Sequence, residues 1–192
     1  MGNTASNVTA GKPRTAGAVF VAPAGTTLPT DASTALADTY TCLGYVSEDG
    51  LEVERSADNT PVKEWGGATV AVLENGFEES YHLTLIETMN ADVLKAVFGA
   101  ANVTGALATG IKVSVKPEEH AASVWVFDMI LRGGVLKRIV VPNGAISEIG
   151  ATTYSGSDVT GYEITIMAML DGTGCTSYEH LKTPTTSSGS GG

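Results

Sequence analysis

Apolar and polar residues alternate along most of the chain between residues 40 and 182, a period that is typical of β-strands with one buried face. Glycine, proline and asparagine separate the alternating runs, which predicts short strands joined by turns. The ten predicted strands cover 40–46, 51–55, 69–73, 78–87, 111–115, 124–131, 135–141, 145–149, 161–170 and 178–182. No unit of 20–50 residues repeats along the chain, so we expect no solenoid or propeller.

Two segments between these strands have the composition of turns and loops. Asn75-Gly76 lies between two alternating runs, and this dipeptide is the strongest short signal for a β-hairpin turn. Residues 56–67 combine Asp, Asn, Pro and Gly with one aromatic residue, Trp65. The sequence therefore predicts a tight turn at 75–76 and a loop over 56–67.

One segment has helical rather than strand spacing. Val93, Leu94, Val97 and Phe98 form a single apolar stripe at a period near 3.6 residues. Asn90 is a favourable N-cap, and Gly99 suits the position after the last turn. We expect one α-helix over 90–98, packed against a sheet.

The predicted fold class is mainly β, a β-sandwich or partial barrel of about ten strands with one flanking α-helix. Residues 1–39 are rich in Ala, Gly, Thr and Pro and are interpreted as an extended N-terminal arm or irregular lead-in. The β domain covers 40–182. Residues 183–192, ending in Ser and Gly, are expected to form a flexible tail.

The charge of the chain is unevenly distributed. The net charge is −10, and residues 38–92 hold twelve acids and two bases, so this segment accounts for all of it. A basic cluster follows, made of Lys112, Lys116, Arg132, Lys137 and Arg138. One interpretation is ordinary solvated strand faces. The other is a molecule with one acidic and one basic side, which suits head-to-tail association of identical copies.

Several classes of function are disfavoured by what the sequence contains. The acidic charge argues against tightly held nucleic acid and against an anionic membrane surface. No apolar run approaches 18 residues, and the first residues have no signal-peptide core, so we expect no membrane association. His82, His120 and His180 are far apart, and no nucleophile, phosphate-binding or metal motif is present. We expect no enzyme, no metal site and no cofactor.

Five segments, in one order along the chain, resemble the major tail protein of long-tailed, siphovirus-type bacteriophages, the subunit of the tail tube. They are FVAPAGTTLPTD (20–31), LGYVSEDGL (43–51), EWGG (64–67), LKAVFG (94–99) and GGVLKRIVVPN (133–143). The likeness covers about residues 12–182, and none of the segments is a signature of a reaction. The Ser/Gly tail lies outside it.

The resemblance implies a β-sandwich with a flanking helix that associates into hexameric rings. Rings would stack head to tail into a hollow tube through which DNA leaves the capsid. It also implies contacts with the tape measure, terminator and baseplate or distal tail proteins, and a place in the virion after assembly in the host cytoplasm. A long loop, matched here by 50–67, and extended arms would join neighbouring subunits.

Candidate residues follow from the charge distribution and from the implied loop. The acids expected to line the tube are Glu74, Glu78 and Glu79, because an acidic wall would let DNA slide. The candidates for contacts between subunits or rings are Glu52, Glu54, Arg55, Asp58, Lys63, Trp65, Arg132, Lys137 and Arg138. Trp65 either packs within its own subunit or anchors a neighbour, since tryptophan is favoured at interface hot spots.

Two other functions stay open at this point. A capsid decoration or head–tail joining protein would share the acidic β domain without forming open-ended tubes. A monomeric carbohydrate-binding or adhesin-like β-sandwich would need aromatic residues along one exposed face. Aromatic residues make up only 6% of this chain and are scattered, which disfavours the second alternative.

Overall fold

The computed structural model describes residues 2–15 and 17–183. The strands and the helix, in chain order, are β1 (Lys12–Pro13), β2 (Val19–Pro23), β3 (Thr41–Cys42), β4 (Val46–Lys63), β5 (Thr69–Leu85), α1 (Ala91–Phe98), β6 (Val103–Ala106), β7 (Gly110–Val113), β8 (Ser123–Ile130), β9 (Leu136–Ile149), β10 (Tyr162–Met169) and β11 (Tyr178–Lys182). The predicted flexible tail, 183–192, lies outside the described residues apart from Thr183.

Nine of these strands form one antiparallel sheet that does not close into a barrel. Seven strands follow the order β3-β2-β8-β9-β10-β5-β4, while β1 adds to β8 and β11 adds to β9. β6 and β7 form a separate two-stranded hairpin. β4 is therefore an edge strand, hydrogen-bonded only to β5 among the described residues.

The larger hydrophobic core lies between one face of the sheet and α1. Val93, Leu94 and Val97 of the helix are buried there against the alternate residues of the central strands. Asn90 caps α1, because its side chain accepts a hydrogen bond from the Asp92 amide at 3.0 Å. The prediction of a mainly β fold with one flanking helix is confirmed.

The opposite face of the sheet is covered by the lead-in segment between β2 and β3. Tyr40 packs there with Val126 and Val140, and its hydroxyl donates to the Thr27 carbonyl at 2.9 Å. β8 is consequently buried on both faces. The segment predicted as an irregular lead-in thus forms part of the folded unit, because the sheet needs apolar cover on both sides.

A buried ion pair holds this lead-in segment against the sheet. The Arg138 guanidinium donates to both carboxylate oxygens of Asp128 at 2.7 Å. It also donates to the carbonyls of Asp31 and Thr34 at 3.0 and 2.9 Å. Arg14 adds a further bond to Asp128 at 3.2 Å. One guanidinium therefore joins β8, β9 and the lead-in.

The predicted hairpin turn at Asn75-Gly76 is wrong. Both residues lie inside β5, where Gly76 is opposite Asp58, and neither has the positive φ that a two-residue hairpin turn requires. The register shifts beside them, so the extra residue forms a bulge. The chain turns instead at 64–68, where Gly67 has φ 90°.

The loop predicted over 56–67 is also mostly strand. β4 continues to Lys63, and its Pro61 is opposite Val72 of β5. A proline has no amide to donate, but an edge strand tolerates it because one side of the strand has no partner.

The sequence also predicted two separate strands, 135–141 and 145–149. The structure has no break between them, since β9 runs unbroken through residues 142–144. Gly144 is explained by a close approach. A Cβ there would lie 2.7 Å from Cδ1 of Trp125, whose indole nitrogen donates to the Gly144 carbonyl at 3.0 Å. A glycine is needed here because a larger residue would clash with the Trp125 ring, and not because the chain turns.

Candidate functional site

The most distinctive surface feature is the outer part of the β4–β5 hairpin, residues 56–78, here called the projecting hairpin. Every residue in it is exposed. β5 pairs with β10 only from Ser80 to Leu85, so in the described part of the chain the outer residues of β4 and β5 pair in the sheet only with each other. At about 3.3 Å per residue, the eight β4 residues extend about 25 Å from the body of the domain.

The projecting hairpin carries more apolar surface than a solvated hairpin needs. Val70, Val72, Leu73 and Phe77 are 63%, 61%, 55% and 49% exposed. Successive strand residues point to opposite faces, so the neighbours Val72 and Leu73 place apolar side chains on both faces. An isolated two-stranded hairpin is marginally stable in water, and contiguous exposed apolar residues mark interaction surfaces. Both faces are therefore suited to being covered by another protein surface.

Trp65 lies at the tip of the projecting hairpin and is fully exposed. The turn that presents it is closed by Glu64, whose carboxylate accepts hydrogen bonds from the amides of Gly66 and Ala68 at 2.7 and 3.1 Å. These two bonds lower the pKa of Glu64, and the bond from the Gly66 amide has the larger effect. The indole has no packing role within the described chain, which leaves it available to a partner.

The projecting hairpin joins the sheet at Arg55 and Glu79, a region here called its root. A buried carboxylate holds the strands together there. Glu79 is 1% exposed and accepts hydrogen bonds from Arg55 Nε at 2.7 Å, Tyr81 OH at 2.9 Å, Thr176 Oγ1 at 2.5 Å and Ser177 Oγ at 3.1 Å. The root of β5 is therefore tied to β4 and to the segment that precedes β11.

A second carboxylate, that of Glu179, links the root of the hairpin to β9. Arg55 also donates to Glu179 at 2.8 Å, and Lys137 contacts the same carboxylate at 2.7 Å. Burial raises the pKa of Glu179, but the hydrogen bonds from Lys137 and Arg55 outweigh it and the pKa is lowered. Ion pairs from two strands thus meet on β11 at the base of the hairpin.

The charge of Glu79 makes the stability of the root dependent on pH. Burial raises the pKa of Glu79, but the bonds from Thr176, Tyr81, Ser177 and Arg55 outweigh it, so the pKa is lowered. The ionised carboxylate therefore stabilises the folded state above the unfolded glutamate pKa of about 4.3, and this contribution is lost as the pH falls through the folded pKa.

We expect Glu79→Gln to lower the free energy of unfolding at pH 7 by about 2 kcal/mol, because the neutral amide loses the charge-assisted bond to Arg55. Urea denaturation should show the difference from the wild type shrinking as the pH falls from 5 to 3. Exposed Glu52→Gln is the matched control and should leave both curves unchanged. A difference that stays constant with pH would contradict an ionised Glu79.

The other predicted contact residues lie in three places. Glu52 and Glu54 are exposed on β4 just before the root, and Glu54 is 3.8 Å from His82. Asp58 and Lys63 are exposed on the projecting hairpin beside the predicted lumen acids Glu74 and Glu78. The remaining surface residue, Arg132, lies just beyond β8 in a short 3-10 turn and is exposed.

Two of the predicted site residues do not lie on a surface. Glu79 and Arg138 are each 1% exposed, so the prediction of Glu79 as a lumen acid and of Arg138 as a contact between subunits is wrong. Both are charged residues fully engaged inside the chain. Lys137, another predicted contact, is partly buried and paired with Glu179.

Across residues 2–15 and 17–183, no three His, Cys, Asp or Glu side chains come together in a way that could hold a metal ion. In the same residues, no helix is long and apolar enough to cross a membrane. The projecting hairpin is the candidate functional site, because its exposed apolar residues suit a binding surface.

Comparison with protein families identifies the chain. Residues 1–187 match the family described as "Phage tail tube protein". The chain belongs to this family. No curated protein sequence matches it.

Membership of the tail tube family agrees with the resemblance found in the sequence and makes the chain a structural component of the virion tail. A structural family of this kind indicates a non-enzymatic protein that assembles with other tail components. The exposed, apolar hairpin is the feature of this tail tube protein that most needs a partner surface.

Proposed function

We propose that copies of this chain assemble into hexameric rings that stack head to tail to form the hollow tube of a phage tail. The tube serves as the conduit through which DNA leaves the capsid and enters the host. Assembly takes place in the bacterial cytoplasm, and the ends of the tube contact the terminator and the baseplate or distal tail proteins. The tape measure protein is a further proposed partner.

The observation that carries this proposal is the projecting hairpin of a tail tube family member. A monomeric protein gains nothing from a hairpin of about 25 Å with apolar side chains on both faces. Burial against neighbouring copies would remove this surface from water and stabilise the two strands. Asp58, Lys63 and Trp65 are proposed to contact a neighbour there.

The charge of the subunit supports a role in letting DNA pass. Six copies at −10 each would give a ring a charge of −60. A basic wall would bind the phosphates, since six to ten such contacts change affinity by roughly 10³–10⁵ over a modest salt range. An acidic wall repels the duplex and keeps it moving. Glu74 and Glu78 remain predicted lumen acids in this proposal.

Negative-stain electron microscopy of the purified chain tests the proposal. At high protein concentration we expect rings or uniform hollow tubes with sixfold end views, and at low concentration fewer and shorter ones. End views with another symmetry would contradict the hexamer. A chain that stays monomeric at every concentration and in two salt conditions would favour a decoration protein or a monomeric binding module instead.

A further inference from the structure

Three exposed cations lie at one end of the sheet, where β8 ends and β9 begins, here called the cationic end. The strand register places Lys12 of β1 opposite Ile130 of β8. Ile130 is in turn opposite Leu136 of β9, which is opposite Lys182 of β11. Residues directly opposite one another share a face of the sheet, so these four form one row across four strands. The backbones of Lys12 and Lys182 are roughly 14 Å apart, at about 4.8 Å per strand.

Arg132 adds a third cation, in the short turn between β8 and β9. Lys182 donates to Ser33 Oγ of the lead-in at 2.6 Å, so the row lies on the face of the sheet that the lead-in covers. Within residues 2–15 and 17–183, none of the three cations forms an ion pair, whereas the buried Arg138 is fully engaged with Asp128. The cationic end therefore carries three charges that are left for a partner.

Carboxylates lie at the opposite end of the same strands, where β9 ends and β10 begins, here called the acidic end. Glu163 and Thr165 are two residues apart on β10, and Thr165 is opposite Glu148 of β9, so the two carboxylates share a face. Ile164, between Glu163 and Thr165, is fully buried in the core that the sheet shares with α1. Glu148 and Glu163 therefore lie on the side of the sheet away from α1, which is also the side of the cationic row.

The loop that joins β9 to β10, residues 150–161, adds charge and apolar surface to the acidic end. Its Asp158 is an exposed carboxylate, and its Tyr154 and Val159 are 78% and 70% exposed. In the part of the chain that the structure describes, none of the three acids of this end forms an ion pair. The acidic end thus also has unpaired charge, together with two large apolar side chains exposed to solvent.

The cationic end has an apolar recess that suits such a loop. A groove of about 710 Å³ is lined there by Ile130 and Leu131, together with Lys12 and Arg132. Each end of the sheet therefore presents three unpaired charges and apolar surface, and the charges of the two ends have opposite sign. Two different surfaces that complement each other in this way fit a second copy of the same chain.

One chain cannot bring its own two ends together. β9 runs from the cationic end to the acidic end, and its 14 residues span about 45 Å. A contact between the acidic end of one copy and the cationic end of another joins two different surfaces, so it is heterologous. Because these surfaces lie at opposite ends of the same strands, the contact repeats along the strand direction and gives an open-ended stack rather than a closed ring.

We infer that the acidic end of each copy docks on the cationic end of the copy in the next ring, where the three carboxylates face the three cations. Tyr154 and Val159 of the loop enter the groove beside Arg132. This inference rests on the proposed function, because it assigns the contact that stacks the rings. It uses no residue of the projecting hairpin, so the two surfaces can be tested one at a time.

Reversing the charge of one end at a time tests this contact. The variants are Arg132→Glu/Lys182→Glu, which makes both ends acidic, and Asp158→Lys/Glu163→Lys, which makes both ends basic. Each variant places like charges opposite one another, so we expect each alone to raise the critical concentration for tubes at least about tenfold. An equimolar mixture should form tubes at the wild-type concentration, since copies with two acidic ends can then alternate with copies with two basic ends.

A chain that carries all four substitutions should also form tubes, because the charges on both sides of each contact are exchanged. The readouts are negative-stain electron microscopy and sedimentation velocity. All four side chains are exposed, so thermal melts of the monomers should stay within about 2 °C of the wild type.

The control for net charge is Asp38→Lys/Glu119→Lys, which changes the charge of the chain by the same amount as Asp158→Lys/Glu163→Lys. Both acids are exposed and belong to neither end as defined above. The control should form tubes as the wild type does, which separates a direct contact from a general effect of charge.

Three outcomes would overturn the inference: reversed variants that form tubes at the wild-type concentration, a mixture that assembles no better than its components, or a four-substitution chain that does not recover. The proposed function is tested separately. If the wild type forms linear oligomers but no hollow tubes, and each variant loses them and the mixture regains them, the contact stands and the tube does not. If the wild type forms tubes and the mixture shows no rescue, the tube stands and this contact does not.

Discussion

Trp65→Ala should abolish polymerisation and leave the Tm of the monomer unchanged. The indole is fully exposed, so its removal creates no cavity and breaks no packing in the monomer. In an assembled tube the same side chain would bury a large apolar area, and truncating a tryptophan anchor typically costs about 2–4 kcal/mol of binding. A loss of that size raises the critical concentration about 30- to 1000-fold.

The measurement pairs a thermal melt at low concentration with electron microscopy and sedimentation at high concentration. Tyr45→Ala is the matched control, because Tyr45 is an aromatic residue 75% exposed outside the projecting hairpin. The control should assemble. A Trp65→Ala monomer that melts several degrees lower would instead show that the indole packs within its own subunit, and normal tubes would show that it is no anchor.

Arg138→Met should give the largest loss of monomer stability. The substitution leaves Asp128 buried with only Arg14 as a cationic partner and frees the carbonyls of Asp31 and Thr34. Removing one partner of a buried ion pair costs about 3–5 kcal/mol. In a chain of this size that corresponds to a Tm lower by about 10 °C.

Two further variants separate the causes of this loss. Arg138→Lys keeps the charge but not the planar donors that reach Asp128 and the lead-in at once, so it should fall between the wild type and Arg138→Met. Arg132→Met removes an exposed arginine and should change the free energy of unfolding by less than about 0.5 kcal/mol. An Arg138→Met chain with wild-type stability would show that the ion pair does not hold the lead-in.

Features with a complete local signal were predicted correctly. The helix begins and ends where Asn90 and Gly99 predict, because an N-cap, an apolar stripe and a glycine all act within ten residues. The alternation of apolar and polar residues likewise predicted a strand over 78–87, and Tyr81, Leu83 and Leu85, which lie two residues apart in it, are all buried.

Features that depend on distant pairing were predicted wrongly. Asn75-Gly76 has the local chemistry of a turn, but the long ladder between β4 and β5 forms more hydrogen bonds if the chain turns at 64–68. A bulge then absorbs the extra residue. Residues 56–63 were predicted as a loop because they are polar and contain a proline. An exposed edge strand tolerates the same composition, so the local sequence does not distinguish the two.

The candidate site was predicted in part. Trp65 and the acids around it were singled out, and the structure places Trp65, Asp58, Lys63, Glu74 and Glu78 together on the projecting hairpin.

By itself, the sequence determined the fold class, the flanking helix, the acidic charge and the likeness to tail tube proteins. These properties depend on local period, composition and segment order, which are present in the chain before it folds. The tertiary structure alone decided which charges are buried. Glu79 and Glu78 are adjacent, yet one is the buried root of the hairpin and the other is exposed on it. Burial depends on hydrogen-bond partners about 100 residues away, here Thr176 and Ser177, and these partners come together only when the sheet forms.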